Sequence, residues 1–263
     1  MEQTIILKTI ISFMAAGIWI TSATLLAERL GSKIGGLLTN LPSNILVSFV
    51  FISLTRDRYF AAEATRAVPI GMTVDTIFLF IFIVSLRFGV AAATALSLAV
   101  WAGLAFLAGH LMLTGWIDNI AIYVIIAIAL FLICENVLKI PSAARTTRKY
   151  TAFQLLIRAV FAGGVVGGTV LISAFASAYW VGLFSTFPAV LLSTMIILSI
   201  NQSPAFARAT GKILLFSSSN IIIFGLGVFL TYPAIGLIGG TALSFFMAFL
   251  WVWIFQPFLK RLI

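Results

Sequence analysis

Asp75 is the side chain in this sequence most able to do chemistry. It stands in the apolar run Met72-Thr73-Val74-Asp75-Thr76-Ile77-Phe78. An ionised carboxylate away from water is costly, and inside a bilayer such a group marks an ion or proton pathway by default. The sequence makes Asp75 the candidate ion-coupling residue. A plainer reading stays open, in which Asp75 reaches water from a shallow depth or pairs with Arg66 or Lys8. Two proline motifs come next. Thr39-Asn40-Leu41-Pro42-Ser43-Asn44 and Ser185-Thr186-Phe187-Pro188 each set polar side chains around a proline in an apolar stretch. Proline inside a helix removes a hydrogen bond and clashes one turn back. Interrupted hydrophobic segments at matching places in two halves of a chain point to a transporter's binding site. Asn40, Pro42, Asn44, Ser185, Thr186 and Pro188 are therefore candidate substrate-binding residues. Asn220 joins them, because it follows Ser217-Ser218-Ser219 and lines up with Asp75 when one position is gapped. In the plainer reading each proline opens a helix at no cost, with Asn40 and Thr186 as caps. The two readings are compatible, since a helix N-terminus offers N–H groups to an anion.

Other chemistries find little support. His110 is the only histidine and Cys134 the only cysteine, so no His/Cys metal site and no internal disulfide is expected. His110 and Asp118 share a short connection without a placed nucleophile, which leaves no Ser-His-Asp set. No phosphate-binding Gly-x-x-x-x-Gly-Lys loop occurs. The expectation is a protein without enzymatic activity, metal or cofactor. Glu135 stands four residues before Lys139, a spacing that predicts a helix-surface ion pair.

The elements that position these residues follow from composition. Of 263 residues, 62% are hydrophobic and 9% charged, where a soluble domain runs near 45–50% and about 25%. Twenty-three charged residues cannot cover a soluble protein of this size, so the chain is read as an integral membrane protein. A crossing helix needs about 20 mostly apolar residues. Spans are expected near 6–27, 36–54, 69–87, 89–111, 119–138, 155–178, 181–200, 213–231 and 234–256, nine in all. The first is too long, and lacks the basic leader, for a cleaved signal peptide. Arg87-Phe88-Gly89 and Tyr232-Pro233 are the expected turns, 55–68 and 201–212 are read as loops, and 142–149 is the longest loop. Gly163-Gly164-Val165-Val166-Gly167-Gly168 and Gly236 with Gly240 are read as close-packing glycines. Trp180, Trp251 and Trp253 fall near span ends, where aromatic belts form.

Charge sets the expected orientation. Arg29, Lys33, Arg87, Lys139, Arg145, Arg148, Lys149, Arg158, Arg208, Lys212, Lys260 and Arg261 fall on one side, and Lys8, Arg56, Arg58 and Arg66 on the other. The positive-inside rule then puts the N-terminus outside and the C-terminus in the cytoplasm. It also explains the net charge of +9 as topology. A nucleic-acid site would need one continuous basic face, which these scattered loop-end charges do not form.

The chain also repeats itself. Gly36-Leu37-Leu38-Thr39-Asn40-Leu41-Pro42 lines up with Gly182-Leu183-Phe184-Ser185-Thr186-Phe187-Pro188, and the register runs on without a gap to Arg66 and Lys212. Lys8 matches Arg158 once four residues are dropped. The fold expected is an all-α polytopic bundle of two four-span repeats, residues 1–112 and 153–263. A linker span and basic cytoplasmic loop, 113–152, join them. Four crossings return the chain to its starting face and a fifth carries it over, so the repeats are expected to be inverted. Inverted repeats around a midplane site typify secondary transporters.

Both copies, Gly36 to Arg66 and Gly182 to Lys212, resemble the GlpM-like group of short four-span bacterial membrane proteins. That group opens its second span with Gly-Leu-x-x-x-x-Pro-(Ser/Thr), and the second copy departs from it at Ala189. The resemblance implies a tandem duplication, an inner-membrane location and, from one branch, an association with exopolysaccharide production. It implies no substrate and no catalytic residue. The leading expectation is a secondary transporter or permease for a small solute or ion, with its site between the repeats. The alternatives are a non-transporting scaffold for envelope polysaccharide assembly and a membrane enzyme acting on lipid-linked substrates. Expected partners are the lipid bilayer, an unidentified solute or ion and, as an open option, further copies of the chain in a homo-oligomer.

Overall fold

The structure is a computed structural model and describes residues 2–29, 41–141 and 151–261. No strand occurs among them. The helices are α1 (Glu2–Arg29), α2 (Ser43–Thr55), α3 (Arg58–Ala64), α4 (Val68–Ser85), α5 (Val90–Leu111), α6 (Trp116–Leu132), α7 (Ala152–Ser173), α8 (Ala178–Ser185), α9 (Ala189–Asn201), α10 (Pro204–Ser217) and α11 (Ser219–Arg261). A 3₁₀ turn at Thr65–Ala67 makes α3 and α4 one continuous rod. A π turn, Ile133–Val137, ends the rod of α6. Seven helical runs among the described residues are long and apolar enough to cross a bilayer, and α2 is a shorter apolar helix. The chain is a multi-pass helical membrane protein.

Two expected loops are helix. Residues 55–68 and 201–212 read as loops because Arg56, Asp57, Arg58, Glu63 and Arg66 interrupt the apolar pattern. In the structure only one sharp corner separates α2 from α3. Asp57 then caps α3, accepting from the N–H groups of Tyr59 and Phe60 at 2.8 Å each. Ser203 caps α10 in the same way, accepting from Phe206 N–H at 3.1 Å. Arg66 and Lys212 therefore lie within helices. The charged side of α3 is offset by Ala61, Ala62 and Ala64, which are buried. A helix that is polar on one face and alanine-rich on the other defeats a simple hydropathy window.

The last run reverses at Gly236, three residues past the expected turn. Its φ of 79° and ψ of −177° are open to glycine and strained for other residues. Contacts across the turn pair Thr231 Oγ1 with Gly240 O at 3.1 Å and the indole N–H of Trp251 with Ser219 Oγ at 3.0 Å. The two arms of α11 are thus an antiparallel hairpin. Gly89, with φ 95°, makes the corresponding corner between α4 and α5. Gly236 is a turn residue, while Gly240 packs against Tyr232.

Packing places the α3–α4 rod at the centre. Ile70, Val74, Phe78, Phe82 and Ile83 pack in one apolar cluster with Trp101, Phe131, Leu183 and Leu215. Val68 and Met72 belong to a second with Phe49, Tyr123, Phe224 and Tyr232. Outside the rod, α1 and α7 form the most extensive helix pair. A Cβ added to Gly17 would meet Ala159, one on Gly163 would meet Phe13 and one on Gly167 would meet Thr9 and Phe13, so the two helices run antiparallel. Of the glycine pairs in α7, Gly163 and Gly167 face α1 closely, whereas Gly164 and Gly168 face open space.

Two stretches of backbone match closely. Helices α2 and α9 each have 13 residues, follow directly on Pro42 and Pro188, and begin 146 positions apart. The prolines have φ/ψ of −75°/57° and −78°/42°. The residues that end the helices, Arg56 and Gln202, have −105°/−89° and −115°/−80°.

Candidate functional site

Asp75 is buried, 2% exposed, on the central rod. Neither partner considered from sequence reaches it. Arg66 pairs with Glu63 at 2.8 Å within its own helix, and the amine of Lys8 donates to Leu54 O at 2.6 Å. Instead the indole N–H of Trp101, on α5, donates to Asp75 Oδ1 at 2.9 Å. No Lys or Arg among the described residues lies within ion-pair distance of the carboxylate. Such a carboxylate is expensive when ionised, because one neutral donor does not replace the lost hydration.

The second proline motif forms one wall. Trp101 packs edge-on against Phe187, with ring centroids 4.8 Å apart. Thr186 lies against Gly71, one turn before Asp75, and occupies the space a Cβ at Gly71 would need. Pro188 opens α9, as the plainer reading has it, but Thr186 does not cap α9. It ends α8, and its hydroxyl donates to Leu183 O at 2.7 Å. Ser185 does the same to Gly182 O at 2.6 Å. Both side chains are buried with their hydrogen bonds satisfied locally, and the run from α8 to α9 is a broken helix. Gly182 at its centre lets the backbone of Ala64 on α3 approach directly.

A second break lies on another side. Helix α10 ends at Ser217 and α11 starts at Ser219. The phenol of Tyr123, on α6, donates to Leu215 O at 3.3 Å and Phe216 O at 3.4 Å. Asn220 is buried in the first turn of α11. The shared landmarks run 146 positions apart as far as Arg66 and Lys212, and 147 apart at Gly89 and Gly236. Counted at those offsets without a gap, Asp75 falls at Ile221 or Ile222, next to Asn220.

The first proline motif is described only in part. Asn40 lies outside the described residues, as does the basic stretch Arg145 to Lys149. Pro42 is buried, and its helix α2 packs on α1, α3, α7 and α11. Asn44 is half-buried, and its Oδ1 is a buried atom without a hydrogen-bond partner. Among the described residues no hydrogen bond or ring contact joins this motif to Asp75 or to the second motif. Helix α2 does touch α8, the helix that Ser185 ends.

Glu135 pairs with Lys212 at 2.7 Å, and not with Lys139. The π turn re-aims Glu135, and Lys139 at φ 47° turns the chain so that Ile140 O accepts from the same amine at 2.9 Å. Lys212 is 1% exposed and Glu135 about half exposed. His110 is exposed beside Phe106 and Trp180. No cluster of three or more His, Cys, Asp or Glu that could hold a metal occurs among the described residues. Trp101 and Tyr123 were not singled out from sequence. The available signal was a tryptophan in mid-span among small residues, away from the interface where tryptophan usually sits. Comparison of the chain with family models, curated proteins and solved structures gave no match.

Proposed function

We propose that the protein is a secondary transporter or permease for a small solute or ion, with no catalysis of its own. One observation carries this reading. A carboxylate without a counter-charge is buried in the central helix beside the broken helix α8–α9. Discontinuous helices beside an ionisable group are how many transporters build their sites. The inverted arrangement of two four-span units rests on two supports: the matched α2 and α9 with their proline starts, and the antiparallel α1 and α7 that would begin the units. Taking α2 and both arms of α11 as separate crossings gives nine spans. The N-terminus is then outside and the C-terminus in the cytoplasm of an inner membrane. A tandem GlpM-like ancestry accords with this duplication.

The test uses the full chain in proteoliposomes on a solid-supported membrane. A panel of amino acids, organic acids, sugars, amines and inorganic ions is applied as concentration jumps. Wild type gives transient currents with at least one class, and Asp75→Asn abolishes them at equal incorporation. Currents from no class would overturn the reading and favour the polysaccharide scaffold.

A further inference from the structure

We propose that the ion held at Asp75 is a proton and not a metal cation, with Trp101 as the positioning residue of the proton site. The inference deepens the transport reading and rests on it for its role in coupling, but the proton site itself does not require that any solute be moved. A hard metal cation takes about six oxygen ligands or keeps part of its water shell. Asp75, 2% exposed, has no room for that shell. Its Oδ1 faces an N–H donor, Trp101 Nε1, whose positive end repels a cation. The hydroxyls next to it on α4, Thr73 and Thr76, donate to Pro69 O and Met72 O of their own helix at 3.0 and 2.8 Å. The wall opposite is aromatic, formed by Trp101 and Phe187. A proton needs one oxygen. Bound on Oδ2, it leaves Oδ1 as a carbonyl acceptor that keeps the bond from Trp101.

Among the described residues, no ionisable group on the elements around α4 makes an ion pair with Asp75. On α6, Tyr123 bonds the Leu215 and Phe216 carbonyls, and Glu135 holds Lys212 of α10. Arg66 holds Glu63 at the start of the rod, Arg87 at its end stacks over Phe88, and Arg208 lies one turn before Lys212 on α10. The phenols of Tyr179 on α8 and Tyr232 on α11 bond Leu113 O and Thr241, and His110 on α5 bonds Phe106 O. None supplies Asp75 with a counter-charge.

Infrared difference spectroscopy of the full chain in lipid nanodiscs tests this. Raising the pH should remove the carbonyl stretch of one protonated carboxylic acid, and Asp75→Asn should lack that band while Asp118→Asn keeps it. At a pH where the band is present, adding sodium, potassium or magnesium chloride should leave its amplitude unchanged. Trp101→Phe should keep the band and displace its pH midpoint by about one unit, the change expected from losing one hydrogen bond to a charged form. A purely structural tryptophan would leave the midpoint in place, which would overturn its assigned role. Loss of the band on adding a metal salt at constant pH, or its absence at every pH, would overturn the proton assignment. Retention of the band in a chain that gives no solute currents would sink the transport reading and leave the proton site standing.

Discussion

A single acceptor and a single donor carry the centre of this protein. Asn at position 75 keeps the size of the side chain and an oxygen for the Trp101 N–H, while it removes the charge. Asp75→Asn is therefore expected to lose transport and to melt at the wild-type temperature or above, measured by thermal unfolding in detergent. The Glu135–Lys212 pair predicts an asymmetry. Glu135→Gln leaves a buried ammonium without a counter-charge and should destabilise by about 3–5 kcal/mol. Lys212→Met leaves a half-exposed carboxylate that water solvates and should change stability by about 1 kcal/mol or less. Equal losses in the two variants, read from the same melting curves, would contradict this account. Asp75 was legible in the sequence because its charge stands alone in an apolar run. Its partner was not, because a tryptophan 26 positions away on another helix leaves no local pattern. The spacing of Glu135 and Lys139 misled for a related reason. A π turn shifts the register that the four-residue rule assumes.

Helix pairs obey rules that the residue list alone hides. Within one six-residue stretch of α7, Gly163 and Gly164 should respond to alanine in opposite directions. A Cβ at Gly163 would sit 2.7 Å from the backbone oxygen of Phe13, so Gly163→Ala must push α1 away, at about 1–3 kcal/mol. A Cβ at Gly164 meets nothing within 4 Å, and Gly164→Ala should stabilise by about 0.4–1 kcal/mol by restricting the unfolded chain. Melting temperatures of the two variants in the same detergent check both signs. Element existence was readable from hydropathy, since each expected span contains a helix among the described residues. Element ends were harder to read. The corner at Gly236 escaped notice because Pro233 offered a stronger turn signal, yet that proline sits within a helix of the hairpin. The helical start of α3 is masked in the sequence by Arg56, Asp57 and Arg58, whose charge resembles that of a loop.

Across the whole molecule, the inverted reading makes a prediction about orientation. Tyr59 and Ala205 are exposed, occupy the second positions of α3 and α10, and lie 146 residues apart. Cysteines placed there one at a time, in a Cys134→Ser background, should label from opposite faces of the membrane with an impermeant maleimide. Labelling from one face would rule out the inverted arrangement. The matched starts of α2 and α9 were legible as a short motif, and the antiparallel packing of α1 on α7 could not be read without coordinates. The central position of the α3–α4 rod has a consequence for the order of manufacture. This rod lies in the first half of the chain, but much of its cover comes from α8, α10 and α11, made last. During synthesis it waits with α2, α5 and α6 against it, Trp101 of α5 included, and its other faces stay open to lipid until the ribosome has delivered the second half. A chain stopped after residue 141 is thus an orphan, expected to be cleared by membrane proteases unless a separately expressed C-terminal half arrives to rescue it.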